Sequence, residues 1–301
     1  MGKGFLSKKF SRRDFFKHSM RGMVLVGVGK GFYNTTEGRI RLQRVSVPLP
    51  GLPPAFSGLK IAQLSDLHSS RIVRPGLIEE AARLVMNEKP DLIVLTGDYI
   101  TGEILFLSKS VGEFKKLYLD RCLDALSGLN APMGIYAVLG NHDFWSGSAA
   151  LSTIVKGFED RIGAKWLRNS SVRLRRGASE IQLLGIDDYW ENSSSLDRAL
   201  EGLTGDKVRI LLSHNPDINA AIESRGERID LVLSGHTHGG QVALPVVGAP
   251  FLPSEYGQKY RKGLVSDPGR FTYINSGVGN LLFPIRFNSP PEAALITLEM
   301  S

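Results

Sequence analysis

Five short motifs in this chain combine carboxylates, an amide and imidazoles in patterns suited to gripping divalent cations. They are Ser65-Asp66-Leu67-His68, Thr96-Gly97-Asp98, Gly140-Asn141-His142-Asp143, Ser213-His214-Asn215-Pro216 and Ser234-Gly235-His236-Thr237-His238-Gly239-Gly240-Gln241. Neutral imidazoles bind metal through one ring nitrogen, carboxylates supply negative charge, and one carboxylate can bridge two ions. Asp66, His68, Asp98, Asn141, His214, His236 and His238 together suit two ions of five- or six-fold coordination once water is added. Alone, each motif is weak: a lone histidine at a strand end is more often a hydrogen-bonded core or surface residue. The ordered set is specific.

Each motif directly follows an apolar, β-prone run. The runs are Leu59–Leu64, Leu92–Thr96, Gly134–Leu139, Ile181–Gly185, Val208–Leu212, Leu231–Leu233, Phe271–Ile274 and Ala293–Leu298; five of these eight lead into the motifs. Five of the six histidines therefore sit just past a buried strand, and only His18 does not. Ligand sites in α/β sheets gather beyond the carboxyl ends of strands, so all five can converge. Helical spacing marks Pro75–Glu88 and Lys115–Leu126 between the early runs. Strands this continuous in apolar residues must be covered on both faces. The expected architecture is α/β, two sheets packed together with helices outside. Arg44–Leu49 is expected as an edge strand, which tolerates Pro48, ahead of a stiff connector with Pro50, Pro53 and Pro54.

The net charge of +7 belongs to the N-terminus and not to the body. Residues 1–44 hold eleven Lys or Arg against two acids, leaving the remainder with 26 basic and 28 acidic residues. A weakly acidic body is a poor nucleic-acid surface. The single cysteine, Cys122, rules out an internal disulfide framework and a cysteine zinc site. Within residues 1–44, Ser11-Arg12-Arg13-Asp14-Phe15-Phe16-Lys17 precedes a short apolar stretch, Met23 to Gly29. That outline resembles a twin-arginine export signal, which implies the translocation machinery as a partner and carriage of a folded protein. The competing reading is a basic amphipathic tail on anionic lipid. Residues 45–301 form the catalytic body under either reading. The segment is either cleaved, placing the protein on the periplasmic or envelope side, or kept as an anchor, which admits the cytoplasmic membrane face.

The series Asp-x-His, Gly-Asp, Gly-Asn-His-Asp, His and Gly-His-x-His resembles the calcineurin-like metallophosphoesterase family over roughly residues 59–298. That family folds as a two-sheet β-sandwich flanked by helices in four layers. The longer string Gly-His-Thr-His-Gly-Gly-Gln, with Pro284-Ile285-Arg286 and Pro290-Pro291-Glu292, is similar to its exported or membrane-associated bacterial branch. The resemblance implies that Asp66, His68 and His238 hold one metal and Asn141, His214 and His236 the other, with Asp98 bridging. It implies that His142 stands by the leaving group without binding metal, and that Asp143 orients its ring. Mn, Zn, Fe and Ni all suit such mixed ligands.

The implied activity is hydrolysis of a phosphoester or pyrophosphate in a small molecule or lipid. The branch includes enzymes acting on UDP-2,3-diacylglucosamine in lipid A synthesis, a nucleotide used on the cytoplasmic side. The segments Ile100–Phe114, Val242–Lys262 and Asn280–Phe287 flank apolar residues with Lys259, Arg261, Lys262 and Arg286, which would suit a lipid-linked phosphate at a membrane surface. These apolar residues otherwise simply pack beneath the loops. Asp187 and Asp188 either support the metal ligands from behind or are surface carboxylates. Two other functions compete with hydrolysis of envelope esters: a non-catalytic metal-stabilised binding module, which would not need His142 and Asp143, and a nuclease, which the acidic body disfavours.

Overall fold

The structure, a computed structural model, describes residues 39–101, 114–191, 193–281 and 283–301. The export motif, and most of the Ile100–Phe114 loop, lie outside the described residues. The chain runs β1 (Arg41–Leu49), β2 (Lys60–Leu64), α1 (Pro75–Asn87), β3 (Leu92–Thr96), α2 (Lys116–Leu126), β4 (Ile135–Val138), α3 (Asn141–Trp145), α4 (Ser148–Ile162), β5 (Ala164–Trp166), β6 (Ser170–Arg176) and β7 (Ser179–Gly185). It continues through α5 (Leu196–Leu200), β8 (Arg209–Leu212), α6 (Ile218–Arg225), β9 (Leu231–Ser234), β10 (Gly263–Asp267), β11 (Arg270–Ile274) and β12 (Glu292–Met300).

Two six-stranded sheets result, ordered β1-β12-β2-β3-β4-β5 and β10-β11-β9-β8-β7-β6. Their inner faces meet in one core, where Ile61, Val94 and Val138 face Leu183, Ile210, Leu212 and Leu233. Leu77, Ala81, Leu123 and Phe158 from α1, α2 and α4 cover the outside of the first sheet. Leu196, Ile218 and Ile222 from α5 and α6 cover the second. In β8 the alternation is explicit: Ile210 and Leu212 point inward and Leu211 outward, all fully buried. That explains the continuous apolar runs. The four-layer α/β sandwich is therefore present.

β2 through β5 run parallel, and so do β7, β8, β9 and β11. Each sheet thus has one edge at which several strands end together. Contacts tie those edges to one another: Gln63 Nε2 donates to Ser234 O (2.9 Å), and Val278 N donates to Ser65 O (3.0 Å).

Three strands escaped the sequence pattern, namely β5, β6 and β10. β6 and β10 are outer strands whose alternate residues are exposed, and β6 carries Arg173, Arg175 and Arg176. Half-solvated arginine-rich strands lack the apolar run that betrays a central one. β1 does lie at an edge, but it starts at Arg41. Residues 41–44, counted above with the N-terminal segment, therefore belong to the sheet. Among the described residues, no helix is long and apolar enough to cross a membrane.

Candidate metal centre

Each predicted ligand lies on a turn that leaves a strand, and the turns have unusual backbone. Asp66 (φ 50°), His68 (45°), Asp98 (57°), His236 (70°) and His238 (52°) all occupy the left-handed region. Non-glycine residues are uncommon there, and strain of about 1–3 kcal/mol each is typical of functional sites. The turns are locked by hydrogen bonds: His68 N donates to Asp98 O (3.0 Å), Asp66 N to Gly97 O (2.9 Å), and His236 N to both Asp66 oxygens (3.0 Å). Gly97 (φ 93°) cannot carry a side chain, because a Cβ there would lie 2.6 Å from Gly140 N and 2.8 Å from His214 Nδ1.

The side chains converge. His68 Nε2 and His238 Nε2 stand 2.9 Å apart, with Asp66 Oδ1 3.9 Å from the former and 3.3 Å from the latter. His236 Nδ1 and His214 Nε2 face each other at 3.1 Å. Between these two groups sits one oxygen, Asp98 Oδ2, 3.5 Å from His68 Nε2 and 3.2 Å from His214 Nε2. The other oxygen of Asp98 is held aside, accepting from His142 N at 2.8 Å. Asn141 opens α3 with both polar side-chain atoms buried and unpartnered. An unsatisfied buried amide costs about 1–3 kcal/mol, so its oxygen fits a ligand role.

Hydrogen bonds behind the candidate ligands fix the orientation of their rings. His214 Nδ1 donates to Thr96 O (2.8 Å), directing Nε2 toward Asp98. His68 Nδ1 is hydrogen-bonded with Thr101 Oγ1, directing its Nε2 toward the centre. Such partners are ordinarily as important as the ligands they orient.

Electrostatics agree with a site made for cations. Burial pushes His68, His236 and His238 well below the usual imidazole range, so their lone pairs are available. Burial would raise Asp98, but the facing His214, with His142 and His68, holds it well below the carboxylate range. Burial lowers His214, yet the charge and hydrogen bond of Asp98 outweigh it and raise His214 well above. Burial also pushes Asp66 up to about 6 and Asp143 up to about 7. Crowded buried carboxylates of this kind are relieved by positive charge. The donor set fits two divalent ions.

Three close groups form: Asp66–His68–His238, Asp98–His214–His236, and His68–Asp98–His142. The third brings His142 to the rim of the centre, its ring edge-on to His68 (centroids 4.9 Å) and packed on Trp145 (4.7 Å). Asp143 has main-chain partners beyond the ring-orienting task expected of it. Its carboxylate accepts from the amides of Asp98, Tyr99 and Gly140, each at 2.9 Å. It thereby staples the β3 turn to the start of α3, and positions Asp98 through the backbone. Sequence spacing could not show this, because the partners are main-chain atoms.

Asp187 and Asp188 are buried, so the surface-carboxylate alternative fails. Asp187 forms a two-pronged pair with Arg168, both contacts 2.9 Å. Asp188 is pushed up to about 7 by burial, and its charge acts on His214.

Arg286, expected among the loop cations, is instead buried behind His238. Its guanidinium donates to the carbonyls of Ser276 (2.8 Å), Ser289 (3.2 Å) and Gly279, and Nη2 lies 3.1 Å from His238 Nδ1. Ser289 Oγ donates to His238 O (2.8 Å), closing the buttress. Arg286→Ala would strand several buried carbonyls at about 1–3 kcal/mol each. The expected result is a melting temperature lower by more than 10 °C with reduced metal content, read by calorimetry and elemental analysis.

A family model of the calcineurin-like phosphoesterase matches residues 59–240. The chain is 31% identical over 298 residues to the metallophosphoesterase YkuE of Bacillus subtilis (strain 168), spanning 97% of this chain and 99% of that one. It is 35% identical over 239 residues to the phosphodiesterase YaeI of Escherichia coli (strain K12), spanning 79% and 82%. A metallophosphoesterase of Aquifex aeolicus (strain VF5) is 30% identical over 285 residues, spanning 92% and 98%.

Proposed function

This chain belongs to the calcineurin-like phosphoesterase family, a metal-dependent hydrolase class, and we propose that it cleaves phosphodiesters with two metals held as the resemblance implied. Asp66, His68 and His238 would hold the first ion, Asn141, His214 and His236 the second, and Asp98 would serve both. The observation that carries this assignment is the single oxygen, Asp98 Oδ2, lying between His68 Nε2 at 3.5 Å and His214 Nε2 at 3.2 Å. When bound, such a pair neutralises phosphoryl charge and lowers the pKa of a water toward about 7.

The chain's own residues do the rest. His142 protonates the departing oxygen as the ester bond breaks. Burial holds its imidazole below the usual value, and an arriving phosphoryl anion raises it, so the proton is loaded when substrate is present. Asp143 keeps Asp98 and the start of α3 in fixed relation. The phosphodiester preference draws on the relative named a phosphodiesterase.

A lipid-linked substrate, such as a UDP-diacylglucosamine, is the finer proposal; the exposed Leu244, Val246 and Val247, six to nine residues past His238, support it. Export or membrane association through residues 1–38 is proposed on the paired arginines Arg12 and Arg13. The identity of the ions is left to the assay. Purified protein supplied with Mn²⁺ or Zn²⁺ should hydrolyse bis(p-nitrophenyl) phosphate, and chelator should abolish the activity until metal is restored. Turnover indifferent to chelator would remove the metal-centred reading.

A further inference from the structure

Among the described residues, seven large apolar side chains are well exposed, and four of them fall within thirteen positions: Leu244, Val246, Val247 and Tyr256. The first three ride on a small hairpin. Leu244 N donates to Gly248 O (2.7 Å) and Gly248 N to Leu244 O (2.9 Å). At its tip, Val247 N donates to Pro245 O (2.7 Å) around Val246, whose φ is +67°. This is a γ-turn of the rarer, strained positive-φ form. A β-branched residue is the worst occupant of left-handed backbone, where glycine or asparagine would relieve the strain. Val246 is nonetheless there, fully exposed, with Val247 68% exposed beside it. Neither folding nor solubility accounts for two valines at that tip.

The hairpin is rooted in the metal centre. Gly240, two residues past His238, leaves no room for a Cβ against Ala249 at the hairpin's far foot. Ala243 N donates to Phe287 O (2.9 Å), and Gln241 Nε2 to Leu281 O (2.9 Å) and Phe283 O (3.1 Å), tying the near foot to the loop that carries Arg286. Val246 is eight residues from His238, at most about 28 Å along the chain. Cations stand on this flank as well: Gln258, which precedes Lys259, donates through Nε2 to Ala249 O (2.7 Å), Arg261 Nη1 donates to Gly239 O (3.5 Å), and Lys262 lies close to Gly239, the neighbour of His238.

We propose that the Leu244–Gly248 hairpin is a membrane-inserting tip that seats the metal centre against an anionic lipid surface, with Lys259, Arg261 and Lys262 as the neighbouring cations. A bilayer interface accepts a convex apolar tip and rewards neighbouring cations. A second protein is a poorer occupant, because a few side chains fall well short of the ~800 Å² that each partner of a stable interface buries. The proposal goes beyond the phosphodiesterase reading and holds whether the ester cleaved is lipid-linked or soluble.

Cys122 is buried and is the chain's single cysteine, so a thiol introduced at the tip can be labelled selectively. Full-length Val247→Cys carrying an environment-sensitive dye is mixed with vesicles of equimolar phosphatidylglycerol and phosphatidylcholine. A blue-shifted, several-fold brighter emission is expected, with no response from the same dye on Asp160→Cys, which lies on exposed α4 surface. No response at position 247, an equal response at 160, or a shift produced by raising protein concentration without vesicles would each overturn the proposal. The unlabelled double variant Val246→Ser/Val247→Ser should bind these vesicles about 10–100-fold more weakly, the loss expected for two valines leaving an apolar phase. Its turnover of soluble bis(p-nitrophenyl) phosphate should be unchanged, and vesicle binding equal to wild type would contradict the tip's role. If the wild type fails to turn over that ester, the phosphodiesterase reading falls, while the dye still decides the membrane question.

Discussion

Asp98→Ala should empty the centre of both metals and lower phosphodiester turnover by about 10³-fold or more, a loss of at least ~4 kcal/mol of transition-state stabilisation. The reason is geometric. The other ligands divide into two sets, and Asp98 Oδ2 is the oxygen that approaches histidines of both. Removing it costs each ion a ligand and costs the pair its shared negative charge. A second loss follows, since Asp98 Oδ1 also anchors the His142 amide at 2.8 Å. Asp98→Asn separates the two effects, because an amide keeps that hydrogen bond but not the charge. It should fold as wild type, bind metal weakly and remain nearly inactive. Elemental analysis after gel filtration, beside kcat, is the check; a variant retaining two ions would show that Asp98 does not bridge.

His142→Ala should behave in the opposite way, retaining metal and losing turnover. The ring sits at the edge of the cluster, edge-on to His68 and packed on Trp145, and burial lowers its pKa below the ordinary imidazole value. General-acid help is typically worth 10²–10⁴-fold, and it matters most when the departing oxygen is a poor leaving group. Turnover of an alkyl phosphodiester should therefore fall across that range, while a p-nitrophenyl ester, whose leaving group needs no proton, should lose far less. Because His142 also lies within ligand distance of His68 and Asp98, the metal count matters as much as the rate. Loss of an ion in this variant would make His142 a ligand.

The legibility of this site in sequence has a physical cause. Buried parallel strands need apolar residues on both faces, so β2, β3, β4, β8 and β9 announce themselves and mark where they stop. The carboxylate, amide and imidazole groups gathered just past those ends then stand out, and they name the candidate ligands Asp66, His68, Asp98, Asn141, His214, His236 and His238. What stayed hidden depends on contacts rather than types. Asp143 spends its carboxylate on three backbone amides, which no spacing reveals. Arg286 reads as a loop cation but lies buried behind His238, held by carbonyls of residues 276, 279 and 289. Thr101 and the Thr96 carbonyl, which hold the rings of His68 and His214, have no motif at all. β6 and β10 are solvated on one side, so their residues carry no apolar run.

Strain at the ligand turns points the same way. Five of the seven candidate ligands hold left-handed backbone without being glycine, a cost the fold sustains through bonds such as those from His236 N to Asp66. Local preference and global arrangement conflict where the chemistry is, as expected of a functional site.

The most direct test is anomalous diffraction from crystals grown with Mn²⁺. Two peaks roughly 3.5–4 Å apart are predicted, the separation of paired catalytic ions, with Asp98 Oδ2 between them, Asp66, His68 and His238 on one, and Asn141, His214 and His236 on the other. A single peak, or peaks away from these side chains, would contradict the account.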